Sequence, residues 1–178
     1  MKKKELPVRE IIFGLEDGIV STLGVLVGIA VGTNNKSFVI LSGLVIVIVE
    51  SLSMAAGTYL SNKSELELHL SSDKKHPLLS LFHCHSSLPI KESFYMGISY
   101  ILGGLVSLSG FFFLDPSNAI LAAILLSSTT LFIMGFIKGK LAQINPLKSG
   151  LEMVLVSASA SFIGYIVGKT ASVLLSKL

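Results

Sequence analysis

Apolar runs alternate with short polar breaks along this chain. Five of the runs are long enough to cross a hydrocarbon core of about 30 Å, which takes roughly 20 helical residues. The pattern predicts helices near Ile11–Gly32, Phe38–Leu60, Phe94–Leu114, Pro116–Ile137 and Gly150–Val173. Turn chemistry separates them. Thr33-Asn34-Asn35-Lys36-Ser37 reads as a short polar loop, with Ser37 as N-cap of the second helix. Asp115-Pro116 reads as an N-cap followed by an N1 proline, which makes helices three and four a tight hairpin. Asn145-Pro146 breaks the chain before the fifth helix, and Ser149-Gly150-Leu151-Glu152 matches a capping box. The prediction is an all-α membrane protein, a single five-helix domain over residues 1–178 with one longer loop over residues 61–93.

Composition agrees. Hydrophobic residues make up 51% of the chain and charged residues 14%, against roughly 25% charged in soluble proteins. Mean hydropathy is +0.76. A soluble core of 178 residues could not hide that much apolar surface, so lipid is the simpler solvent. The net charge of +3 does not point to nucleic acid, because the lysines sit in the gaps between apolar runs and form no basic stripe. Their distribution instead predicts orientation. Lys2, Lys3, Lys4 and Arg9, then Lys63, Lys74, Lys75 and Lys91, then Lys138, Lys140 and Lys148 fall on one side, and only Lys36, Lys169 and Lys177 on the other. The positive-inside rule then puts the N-terminus and the 61–93 loop in the cytoplasm and the C-terminus outside. A signal peptide fits poorly, since Glu16-Asp17 interrupts the start of the first apolar run.

Small residues recur four apart: Gly14/Gly18 and Gly24/Gly28/Gly32 in the first helix, Ser53/Gly57/Ser61 in the second, Gly135/Gly139 in the fourth, Ser157/Ser161 and Gly164/Gly168 in the fifth. Such spacing lets helix backbones approach closely in lipid, within one bundle or between subunits, and the spacing does not separate the two.

The chemistry lies in the acids. A carboxylate at the centre of a membrane helix costs roughly 2.5–3.5 kcal/mol on insertion scales, so such groups usually face a bundle interior or wet cavity and serve ions or protons. Asp17 lies inside the first span on the face of Gly14, Ser21, Gly24 and Gly28; Glu16 is about 100° away and points elsewhere. Glu50 follows Leu44-Val45-Ile46-Val47-Ile48-Val49 in mid-helix, with Met54 one turn on along the same face. A carboxylate beside a thioether is a mixed hard and soft donor pair, better suited to an ion such as Fe²⁺ than to Mg²⁺ or Ca²⁺. The 61–93 loop holds Glu65, Glu67, Asp73, the only cysteine, Cys84, and all four histidines: His69, His76, His83 and His85. Their spacing matches no structural zinc site, which leaves two readings, incidental polar loop residues or weak capture of incoming metal by Glu65, His83 and His85. Glu152, Asp115 and Glu92 read as structural acids near helix ends. Enzymatic signatures are lacking: no span contains a histidine, no second membrane aspartate faces Asp17, and no phosphate-binding glycine loop is present, so the chain reads as a non-enzyme without a resident cofactor.

Three blocks resemble the vacuolar iron transporter family, including its prokaryotic and nodulin-like relatives. They are Arg9-Glu10 followed by Gly14-Leu15-Glu16-Asp17-Gly18-Ile19-Val20-Ser21; Ser53-Met54-Ala55-Ala56-Gly57-Thr58-Tyr59-Leu60-Ser61 running into Lys63-Ser64-Glu65; and Leu102-Gly103-Gly104-Leu105-Val106. Weaker matches follow at Gly135–Gly139 and Ile163–Gly168, in order along nearly the whole chain. The resemblance implies a homodimer with the first helices lining an ion path at the two-fold interface. It also implies export of Fe²⁺, often Mn²⁺ too, from the cytosol in exchange for protons. Asp17 matches the family's first-helix aspartate, Met54 its metal-binding methionine, and Glu10 an acid near the cytoplasmic mouth. The chain departs from the pattern in having Thr58 where many relatives have glutamate. Glu50 stands one turn beyond Ile46, the position of the acid in some relatives, and Ser107 and Ser109 replace prolines. Residues 61–93 are too few for the acidic three-helix metal-capturing domain of the best-known members. The implied membrane is a prokaryotic cell membrane, with a vacuolar one as the alternative. A competing reading is a non-transporting membrane metal sensor or scaffold that uses the loop histidines. In that case replacing His69, His76, His83 and His85 destroys function while changes at Asp17 are harmless.

Overall fold

The computed structural model describes residues 7–72 and 89–177, and every regular element among them is an α-helix. α1 spans Val8–Thr33, α2 Lys36–Ser72, α3 Pro89–Phe113, α4 Pro116–Leu141 and α5 Pro146–Leu175. All five are long and apolar enough to cross a membrane. α1 is the axis of the bundle and touches the other four helices, while α2 packs mainly on α3, and α4 on α5. The outer faces of α2, α4 and α5 carry exposed Leu41, Val45, Ile48, Leu121, Leu125, Leu155 and Ile163. In water such a surface would drive association; in lipid it is already solvated.

Helix ends follow local capping chemistry, and two of the expected caps are displaced. α2 starts at Lys36, ahead of Ser37, because the Asn35 side chain accepts the Phe38 N–H at 3.1 Å. α5 starts at Pro146, ahead of the expected capping box, because the Asn145 side chain accepts the N–H groups of Leu147 and Lys148 at 3.1 and 3.3 Å. Ser149 and Gly150 are instead packing residues inside α5: a Cβ on Gly135 of α4 would lie 2.7 Å from the Gly150 Cα. Asp115 holds the N-cap position before the N1 Pro116, as expected, although its side chain makes no capping bond. α1 closes on Asn34, whose φ of 47° lets its N–H reach the Ala30 carbonyl at 2.9 Å. The second helix outruns its apolar stretch. No glycine or proline lies between Gly57 and Pro77, and α2 continues to Ser72 with an exposed Lys63–Glu67 pair at 3.8 Å. Residues 61–72 of the expected loop are therefore helical. Asn145→Ala should lower the stability of the detergent-solubilised protein by about 1 kcal/mol, read as a lower thermal midpoint.

Close backbone approach builds the interior. Cβ atoms on Gly14 and Gly18 would lie 2.7 and 2.3 Å from the carbonyl oxygens of Met96 and Tyr100 on α3. Gly24, Gly28 and Gly32 meet Ala160, Gly164 and Gly168 of α5 in the same manner. The glycine seam is thus used inside one chain, against two different helices. Around it pack Leu23, Leu26, Val27, Leu108, Phe111 and Ala123, all buried. Ser107 donates to the Ile19 carbonyl at 3.0 Å and shares a 3.0 Å hydrogen bond with Ser127, tying α3 to α1 and α4.

Candidate ion site between the first three helices

α1 and α2 run antiparallel from the Asn34–Asn35 turn. At 1.5 Å per residue, Asp17 lies about 24 Å down α1 from its end at Thr33, and Glu50 about 21 Å down α2 from Lys36. The two carboxylates therefore sit at one level, both half-buried and close enough for their charges to repel. The sequence marks each acid separately; the antiparallel pairing makes them a pair.

Tyr100 joins them. Its side chain is fully buried on α3, its hydroxyl donates to Glu50 Oε2, and the same oxygen is in hydrogen-bond contact with Ser21 Oγ. The Ser21 hydroxyl also lies 2.7 Å from the Asp17 carbonyl, and its one proton serves either that carbonyl or the phenol oxygen. A chain of polar contacts thus crosses α2, α3 and α1 at the level of the two acids. Neither Tyr100 nor Ser21 was among the expected ion ligands. The signal for Tyr100 is present in the sequence nonetheless, because a phenol in the middle of an apolar helix needs a polar partner as surely as an acid does.

Beyond this level, away from the α1–α2 turn, a cleft of about 440 Å³ opens among α1, α2 and α3. Glu10, Met54, Thr58 and Asn62 line it, together with Met96 of α3. A Cβ on Gly57 would meet nothing within 4 Å, so this glycine borders open space. The structure thus puts Glu10 and Met54 in one cleft and adds a second thioether, Met96, that the sequence pattern does not single out. Asn62 donates to Glu92 Oε2 on α3, and Glu92 lies within electrostatic reach of Glu10, Arg9 and Glu65. Glu92, expected to serve the start of its helix, is therefore tied through Asn62 to the lining of the cleft. Glu65 is exposed on the extension of α2. His76, His83, Cys84 and His85 lie outside the described residues, and His69 falls near the end of α2. Among the described residues no three His, Cys, Asp or Glu side chains are grouped to hold an ion on their own.

From the level of Ser21 toward the α1–α2 turn, α1 and α5 border an apolar groove of about 590 Å³ that runs from Val20 and Ser21 to Thr33 and is floored by Gly24, Gly28, Gly164 and Gly168.

Five membrane-length helices with a carboxylate pair and a methionine-lined cleft define a multi-pass membrane protein with an intramembrane polar site. A sequence model of the VIT family matches residues 8–79 and 78–169, and the chain belongs to that family. An uncharacterized protein of Methanocaldococcus jannaschii is 30% identical over 93% of this chain and 90% of its own length. Vacuolar iron transporter 1 of Tulipa gesneriana is 24% identical over 91% of this chain and 86% of its own, and that of Arabidopsis thaliana 23% identical over 91% and 85%. The alignment with the tulip protein runs to 212 residues, more than this chain contains, so that relative carries segments absent here.

Proposed function

We propose that this protein exports a divalent transition metal, Fe²⁺ or Mn²⁺, from the cytosol in exchange for protons, and that Asp17, Glu50 and Met54 hold the ion in transit. The observation that carries the reading is the Asp17–Glu50 pair, level with one another inside two membrane spans. Two carboxylates with overlapping fields bind a dication or protons in competition, so metal and proton exclude each other at one place. Such exclusion at a site reached in turn from each side yields antiport. The cleft supplies the approach: Glu10 and its neighbouring acids at the rim attract the cation, and the thioethers of Met54 and Met96 line the way to the pair. With the N-terminus in the cytoplasm, as the lysine distribution implies, the cleft opens on the cytosolic side.

A first-row ion takes four to six donors, and two carboxylates giving one oxygen each with one thioether supply three. A second copy docked along the α1–α5 groove would double the donors across a two-fold axis, and the groove's apolar, glycine-rich floor suits helix packing in lipid. The names of the tulip and Arabidopsis relatives favour iron as the cargo. Proteoliposomes holding the full chain should take up Mn²⁺ and Fe²⁺ when the lumen is made acidic, alkalinise as they do so, and stop when the pH gradient is collapsed. Uptake that ignores the gradient would overturn proton coupling, and no uptake of either ion would overturn the transport reading.

A further inference from the structure

Among the described residues, Tyr100 is the one large polar side chain that is wholly buried in the bundle. Its place is tightly set. The α3 backbone at Tyr100 lies against α1 at Gly18, where a Cβ would come within 2.3 Å of the Tyr100 carbonyl oxygen. A hydroxyl buried this way costs free energy unless it is hydrogen-bonded, and it has two partners, Ser21 on α1 and Glu50 on α2. The contact on Glu50 is to Oε2 alone.

We propose that Tyr100 is the positioning residue of the ion site: by donating to Oε2 of Glu50, with Ser21 steadying the phenol, it fixes the carboxylate's orientation and makes Oε1 the oxygen most freely given to an ion. The inference rests on the transport reading, in which Glu50 is a ligand. A carboxylate that offers both oxygens makes the wide, flexible coordination typical of Ca²⁺ sites, at 2.3–2.6 Å. One held to a single oxygen favours the shorter bonds of a smaller ion. Tyr100 therefore acts on two properties at once. It pre-orients Glu50, which sets affinity, and its hydrogen bond competes with the two-oxygen geometry, which sets discrimination against Ca²⁺. Groups that hydrogen-bond to metal ligands commonly cost about 10–100-fold in metal affinity or activity when removed.

The test uses proteoliposomes of the full chain with Mn²⁺ as probe, comparing wild type, Tyr100→Phe, Ser21→Ala and Glu50→Gln. Tyr100→Phe keeps the ring in the core and removes only the hydroxyl. Its half-saturating Mn²⁺ concentration should rise about 10–100-fold while maximal flux is retained. An excess of Ca²⁺ that leaves wild-type uptake unchanged should inhibit the variant. Ser21→Ala, which leaves the Tyr100–Glu50 bond in place, should move both readouts the same way by a smaller factor, and it supplies the measurement if Tyr100→Phe does not assemble. Wild-type half-saturation and wild-type indifference to Ca²⁺ in both variants would overturn the role of Tyr100 alone. So would a loss of maximal flux at unchanged half-saturation, the mark of a residue that only packs. No uptake of Mn²⁺ or Fe²⁺ by wild type would overturn the transport reading itself, whereas undiminished uptake by Glu50→Gln would overturn Glu50 as a ligand and the role of Tyr100 with it.

Discussion

Asp17→Asn should abolish metal uptake by proteoliposomes, a fall of about 100-fold or more, while the protein becomes no less stable. Asparagine keeps the size of the side chain and removes its charge, so helix packing around Gly14 and Gly18 is undisturbed. An ionised carboxylate within a span costs roughly 2.5–3.5 kcal/mol of insertion free energy, and the neutral amide escapes most of that cost. Repulsion from Glu50 disappears as well. The variant should therefore hold or raise its thermal midpoint in detergent while its flux is lost, the signature of a group kept for function against stability. Loss of a direct ion ligand should exceed the 10–100-fold typical of a residue one bond further out. Glu50→Gln should behave the same way, and the double variant should be no worse than either single one, because both remove one site. Two results would sink the assignment: flux close to wild type, or a variant that loses flux and stability together.

The second large effect is on folding. Gly164→Val should prevent stable assembly or lower stability by about 3 kcal/mol or more, at the upper end of overpacking costs. A Cβ at Gly164 would lie 2.0 Å from the Gly24 carbonyl oxygen and 2.9 Å from its carbon. One turn on, a Cβ at Gly168 would lie 2.1 Å from the Gly28 oxygen. These are contacts with backbone, so no side chain can swing away. α5 would have to move off α1, and the groove they border would be lost with it. Gly57→Ala is the matched control. With nothing within 4 Å of its Cβ, it should fold as well as wild type and gain up to about 1 kcal/mol from helix propensity. Thermal unfolding in detergent checks both, and a Gly164→Val protein as stable as wild type would refute the close contact.

Two kinds of feature could be read directly from the residues. The five helices follow from apolar run length, because a bilayer of fixed thickness demands it and no packing partner need be known. Asp17 and Glu50 stand out for the same reason: the cost of an acid in lipid belongs to that residue whatever surrounds it. Helix ends were less exact. Ser37 and Ser149 have the right chemistry for caps, but Asn35 and Asn145 lie just ahead of them and make the bonds, so each helix starts earlier. Run length also understates α2, since a helix leaving the bilayer needs only the absence of a breaker to continue.

What only the tertiary structure decided is which side chains meet. Spacing places Gly14, Gly18, Gly24, Gly28 and Gly32 along α1, yet it does not say that the first two lie against α3 and the others against α5. Met96 and Glu92 look like ordinary α3 residues until α1 and α2 are beside them. Tyr100 acquires its role only where three helices cross. The sequence by itself determined that this chain lives in a membrane and keeps acids there, because those are costs each residue carries alone. The tertiary structure decided that two of the acids form a pair and that a phenol holds one of them, because direction and distance between helices are properties of the packing and of no single segment.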